Sequence, residues 1–117
     1  MMFIIEAHYL TEGSCRRVDL MYQGAAASAL LLRHRGEVKA YLNQCVHMPR
    51  TLDCESNEVF DPSSGYLRCS MHGIVYSSMS GESLSEICRG KKLTAIRVVE
   101  REQRIYCIDR RIKSLIQ

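Results

Sequence analysis

Apolar and polar positions alternate at both ends of the chain, and the alternation gives way to turn residues in the middle. Residues 3–9 read as a first strand, followed by a turn at Thr11-Glu12-Gly13. Residues 16–21 alternate charged and apolar side chains, the pattern of a half-buried strand. Residues 25–32 form a run of alanines and leucines that suits a helix about as well as a strand. Gly24 before that run and residues 33–37 after it punctuate the chain, and 38–42 alternate again (Val38, Ala40 and Leu42 against Lys39 and Tyr41). A hairpin around Gly36 follows from this.

Between residues 43 and 90 the chain is rich in loop formers: Asn57, the run 61–65, residues 77–81 and Gly90. Only 66–69 and 74–76 look like short strands there. Residues 93–99 and 104–108 then return to β-branched alternation around a charged turn at 100–103. The expected fold class is all-β: antiparallel sheets framed by both chain ends, with a loop-rich insertion at about 43–90 inside a single domain, 1–117.

At 117 residues, with 46% hydrophobic and 25% charged residues, a chain can bury a core without relying on metal or disulfides to fold. No apolar run approaches the ~20 residues that span a bilayer, and the apolar start at 2–5 is stopped by Glu6 without a basic leader. The expected address is the cytoplasm. The net charge of +3 is mild. The basic clusters Arg16-Arg17, Arg33-His34-Arg35, Lys91-Lys92 and Arg110-Arg111 are short and lack interleaved aromatics. They read as solvated strand edges and loops, and no nucleic-acid partner is expected.

The chemistry lies in two motifs inside the loop-rich part. Cys45-Val46-His47 is followed, after 21 residues, by Cys69-Ser70-Met71-His72 and then Gly73. Each supplies one soft thiolate and one imidazole. A 2Fe–2S centre of the Rieske type needs this set, two cysteines on one iron and two histidines on the other. If each iron draws one ligand from each motif, Cys45 and Cys69 share one iron while His47 and His72 share its partner. Replacing two thiolates by neutral imidazoles removes two negative charges, so an added electron costs less. Mixed ligation accordingly spans about −150 to +300 mV, against about −400 mV for plant-type ferredoxins with four cysteines.

Two thiolates and the oxidised core cancel formally, leaving the loaded protein near +3, and one electron takes it to +2. A partner's docking face is then expected to be acidic or neutral. The alternative metal is zinc, although Cys₂His₂ zinc sites commonly use Cys-x₂₋₄-Cys and His-x₃₋₅-His. The other cysteines, Cys15, Cys54, Cys88 and Cys107, are expected to be reduced packing or surface thiols. A Cys54–Cys88 pair is the sharper alternative.

The segments CVHMPRTLDCESNEVFD (45–61), GYLRCSMHGIVYSSMSGESL (65–84) and CRGKKLTAIRV (88–98) resemble the cluster-binding half of Rieske-type ferredoxins. EGSCRRVDL (12–20) and LLLRHRGEVKAYLNQC (30–45) resemble the strands that precede it. The resemblance implies a Rieske fold, a 2Fe–2S cluster held at the tip of two loops by Cys45, His47, Cys69 and His72, and histidines near the surface where an electron can leave.

Departures from the pattern modify the expectation. The cysteines that join the loops in respiratory members correspond to Arg50 and Met71, so that disulfide is absent. The serine that donates toward sulfur corresponds to Ile74, which cannot donate, and this points to a lower potential than the respiratory type. The tyrosine position is Tyr76, readable as a core aromatic or as a group that tunes the cluster. Gly73 permits close loop approach. Residues 85–88 lack the Gly-Pro of the covering loop.

His8 and His34 lie outside both motifs, with surface or packing roles expected. They are the only unclaimed histidines, and an oxygenase's separate mononuclear iron site, two histidines and a carboxylate, needs a domain of its own, so this chain is not expected to be the oxygenase itself. The resemblance implies a small soluble one-electron carrier between a reductase and a terminal oxygenase or similar acceptor, not itself an enzyme. The alternatives are a small subunit of a larger redox enzyme of the nitrite reductase type and a zinc-stabilised interaction module.

Overall fold

The computed structural model describes residues 2–44, 60, 61, 63–68, 74–85 and 90–116. Among these, ten strands and one short 3₁₀ turn are present: β1 (Met2–Glu6), the turn Ala7–Tyr9, β2 (Cys15–Tyr22), β3 (Ala25–His34), β4 (Glu37–Leu42), β5 (Phe60–Asp61), β6 (Tyr66–Arg68), β7 (Val75–Ser77), β8 (Val98–Arg101), β9 (Arg104–Cys107) and β10 (Ile112–Leu115). They form three antiparallel sheets in the orders β1-β9-β8, β10-β2-β3-β4 and β5-β6-β7. No helix among the described residues is long and apolar enough to cross a membrane.

β3 lies inside the four-stranded sheet and is buried on both faces from Ser28 to Leu32. Ala29 and Leu31 pack into a core with Leu20, Ala40, Ile105 and Cys107, the side of the β1-β9-β8 sheet. Leu30 and Leu32 pack the other way, with Tyr41, Leu67, Ile74, Tyr76 and Leu93, against β5-β6-β7. A stretch with no solvent face has no polar alternation to display, and the exposed start of the strand is alanine, which is why residues 25–32 look helical in sequence. The register from Cys15↔Leu32 to Tyr22↔Ala25 is unbroken, so this run is strand from end to end.

The outline holds, with specific corrections. The first strand stops at Glu6, and residues 7–9 turn, because the Ala7 N–H donates to the Gln103 carbonyl (2.9 Å) and the Leu10 N–H to the Ala7 carbonyl (3.0 Å). Residues 93–97 make a single isolated bridge, Tyr41↔Ala95, and regular pairing begins at Val98 and continues through Arg101. The turn is thereby shortened to Glu102-Gln103. β5 and β10 were not expected: β5 is two residues long, and β10 is held by pairing with β2.

Two arginines of the basic clusters make structural contacts. Arg33 donates both terminal nitrogens to the Glu100 carboxylate (3.0 and 2.8 Å) and its Nε to the Leu10 carbonyl (2.6 Å). Arg111 grips Asp109 through Nε and Nη2 (2.9 and 2.7 Å), reaches the Ala95 carbonyl (2.7 Å), and lies over the Tyr22 ring at 5.5 Å. The Asp109 side chain is only 3% exposed and also accepts the backbone N–H groups of Arg97 and Arg111. These hydrogen bonds, the Arg111 guanidinium first, hold its carboxyl far below the usual range.

Candidate functional site

The expected ligand positions Cys45, His47, Cys69 and His72, with Gly73, lie outside the described residues, as do Cys54, Cys88, Arg50 and Met71. What the structure fixes is the stems on either side of them. β4 runs from the four-stranded sheet to within three residues of Cys45. Just past its end, the Asn43 N–H donates to the Ser28 carbonyl (2.8 Å) and its side-chain Nδ2 to the Ser28 hydroxyl (3.1 Å). Both residues are buried. A buried amide must be satisfied to be tolerated, so this pair anchors the stem of the first motif at one place on β3.

The second motif is flanked by β6 and β7, whose pairing runs Tyr66↔Ser77, Leu67↔Tyr76 and Arg68↔Val75. Arg68 precedes Cys69 directly, and Val75 follows Gly73 by two residues. Leu67, Ile74 and Tyr76 are at most 1% exposed and drive this hairpin into the core beneath it. Tyr76 therefore takes the core placement. Ile74 fills space there, where a serine would supply a hydroxyl.

Residues 82–85 extend this sheet. Tyr76 bridges to Ser83 and Glu82 to Lys92, while the Ser77 N–H donates to the Glu82 carbonyl (2.9 Å) and the Leu84 N–H to the Val75 carbonyl (2.7 Å). The Val75 N–H donates to the Ser85 hydroxyl at 3.0 Å.

Two contacts tie this sheet to the base. Tyr41, in β4, donates its phenolic hydrogen to the Ser78 carbonyl at 2.7 Å. Burial pushes the phenol up to about 12, so it stays a neutral donor throughout the physiological range. Gly81 makes room for its ring, since a Cβ there would lie 2.9 Å from Tyr41 Cε1. His34, 8% exposed, packs against Gly65, between β5 and β6, and edge-on to Phe60. It has the packing role expected of it, and His8 is exposed on the 3₁₀ turn. Cys107 is buried and Cys15 packs against the core beneath β6 and β7.

Sequence reasoning missed the supports Ser28, Asn43, Tyr41 and Ser85. Ser28 and Asn43 left a trace, polar residues at positions where neighbouring strand residues are apolar. Ser85 left none, sitting among serines that read as turn formers.

The described residues contain no group of His, Cys, Asp or Glu able to hold a metal ion. The donor set is that of the two motifs, two thiolates and two imidazoles, and its soft and borderline donors fit a mixed-ligand 2Fe–2S centre. The stems fit too, since those of both motifs belong to layers sharing one core and joined by the Tyr41–Ser78 bond.

A family model described as Rieske [2Fe-2S] domain matches residues 1–96. No curated protein matches the sequence. Among solved structures, the ferredoxin of carbazole 1,9a-dioxygenase from Nocardioides aromaticivorans IC177 superposes with a TM-score of 0.73 at 20% identity, over 93% of this chain and 97% of that one. A chain from the complex of reduced oxygenase and oxidized ferredoxin in carbazole 1,9a-dioxygenase gives 0.72 at 23%, over 91% and 90%. The terminal oxygenase of carbazole 1,9a-dioxygenase from Novosphingobium sp. KA1 gives 0.73 at 22%, over 90% of this chain but 28% of its own. At these identities the likeness establishes a shared fold.

Proposed function

We propose, for a chain that belongs to the Rieske [2Fe-2S] domain family, the role of a one-electron carrier that receives electrons from a reductase and delivers them to a terminal oxygenase or similar acceptor. The observation that carries this reading is the two-way match with a ferredoxin, 93% of this chain against 97% of that one, combined with a complete mixed donor set in the sequence. An oxygenase subunit is matched over only 28% of its length.

Cys45 and Cys69 would hold the inner iron, and His47 and His72 the outer one. When bound, the cluster supplies a reversible one-electron couple with a potential raised by its neutral imidazole ligands. The protein's own residues supply the frame. Asn43 and Ser28 fix the first stem, β6 and β7 the second, and Tyr41 holds the two stems in one body. Leu67, Ile74 and Tyr76 form a dry floor beneath them, and such a shell limits water access and tunes potential. The carrier would work in the cytoplasm as one domain, 1–117, with its cluster-binding part at about 43–90, and make or break no substrate bond itself.

The test is the low-temperature EPR spectrum of anaerobically purified, dithionite-reduced protein. The expected result is a signal with the low average g-value of mixed histidine–cysteine ligation. A four-cysteine-type spectrum would remove His47 and His72 from the ligand set. A silent sample with stoichiometric zinc and no sulfide would overturn electron transfer altogether.

A further inference from the structure

Beside β7 the ladder of backbone hydrogen bonds ends in an unusual way. The Tyr76↔Ser83 bridge is flanked by two backbone bonds, Ser77 N–H to Glu82 carbonyl and Leu84 N–H to Val75 carbonyl. In a regular antiparallel ladder the second of these is half of a reciprocal pair, and the Val75 N–H would return to the Leu84 carbonyl. It goes instead to the Ser85 hydroxyl, at 3.0 Å. One side chain thus closes the ladder at its last rung.

Ser85 is itself held in place. The Ser83 hydroxyl lies 3.3 Å from the Ser85 N–H and 3.2 Å from its carbonyl oxygen, bracketing the residue from both sides. The hydroxyl is half-buried with its residue, where an amide left unpartnered is costly. Val75 is three residues beyond His72 and directly follows the fully buried Ile74. The other flank of the second motif, Arg68, is fixed by pairing with this same Val75.

We propose that Ser85 is a positioning residue for electron transfer, its hydroxyl fixing the Val75 amide and with it the strand end from which His72 departs. The inference rests on the electron-carrier reading above. Without the hydroxyl, the Val75 N–H turns to water and the strand end loosens toward solvent. The reduced centre carries one more negative charge than the oxidised one, so water and a freed amide dipole favour reduction. The potential therefore rises.

The test compares the loaded wild-type protein with S85A, S85C and S85T by redox titration and EPR. In S85A the reduced-to-oxidised ratio at a fixed poise should rise about threefold, roughly 28 mV at 59 mV per tenfold for one electron. S85C, a weaker acceptor of similar shape, should fall between, and S85T, which keeps the hydroxyl, should restore the wild-type potential and g-values. A loss of thermal stability with potential and g-values unmoved, or a downward shift, overturns the proposal. If S85A does not retain a cluster, S85C takes its place: a raised potential supports the proposal, and an unmoved or lowered one overturns it. Wild-type protein without a mixed-ligand signal is a different failure: it fells the carrier reading, and this inference with it, before any variant is compared.

Discussion

Tyr41 and Ser78 are 37 residues apart and joined by a 2.7 Å hydrogen bond from phenol to carbonyl. One lies on the strand leading to Cys45 and the other on the segment leading away from His72. Both are at most 2% exposed, so water cannot replace the bond if it is lost. Tyr41→Phe keeps the ring against Gly81 but strands the carbonyl. We expect a loss of about 1–3 kcal/mol, the cost of an unsatisfied buried acceptor, read from denaturant unfolding. An unchanged midpoint would show that the bond contributes nothing.

Gly65 is a second weld, made by the lack of a side chain. Its φ is +76°, and a Cβ built there would sit 2.6 Å from His34 Nε2. Gly65→Ala therefore meets both a left-handed backbone and a collision, and should lose roughly 1–3 kcal/mol. Adding His34→Ala relieves the collision but not the backbone, so the two changes together should cost less than their sum. Strict additivity in a double-mutant cycle would count against the packing described here.

Asp109 gives the base a pH dependence. Its carboxyl is depressed in the folded state, from an ordinary value of 3.8. A depressed carboxyl contributes stability fully above the unfolded value and loses it as pH falls toward the folded one. Asp109→Asn should cost roughly 1.5–3 kcal/mol at pH 7, the range for hydrogen bonds to a charged group. The difference from wild type should shrink progressively below about pH 4. Urea midpoints across this range check it, and a constant difference would remove Asp109 as the titrating group.

His72→Cys tests the ligand assignment from the redox side. A thiolate in place of imidazole adds a negative charge next to the iron, so a cluster assembled on the variant should titrate at a lower potential, toward the four-cysteine range. An equal or higher potential would mean that His72 is not a ligand.

The sequence displays its strands where one face meets water and hides them elsewhere. In β2, Leu20 is buried while Arg17 and Asp19 face solvent, and the alternation is plain. β3, buried on both faces from Ser28 to Leu32, shows apolar residues there apart from Ser28 itself. β10 carries no pattern of its own because its place is set by partners far away in sequence, Tyr22 and Leu20 across the ladder. Residues 93–97 mislead for another reason: Leu93 and Ile96 are the buried positions, a spacing of three that no regular strand produces. The proposed ligands stand out in the sequence because thiolate and imidazole at those spacings have few other uses. Their supports do not, since serine, asparagine and tyrosine serve everywhere, and only the fold reveals which hydroxyl meets which amide.

The bridge between Tyr41 and Ala95, with the Leu42 N–H on the Thr94 carbonyl and the Ile96 N–H on the Ala40 carbonyl, means that the chain departs for the motifs and comes back at adjoining points. A segment whose two ends already touch can be lengthened, shortened or exchanged at little entropic cost to the rest. The base then behaves as a socket. On the carrier reading proposed above, the segment between residues 43 and 93 can vary wherever it does not supply the buried Asn43, Leu67, Ile74, Tyr76 and Ser78 that hold it to the base.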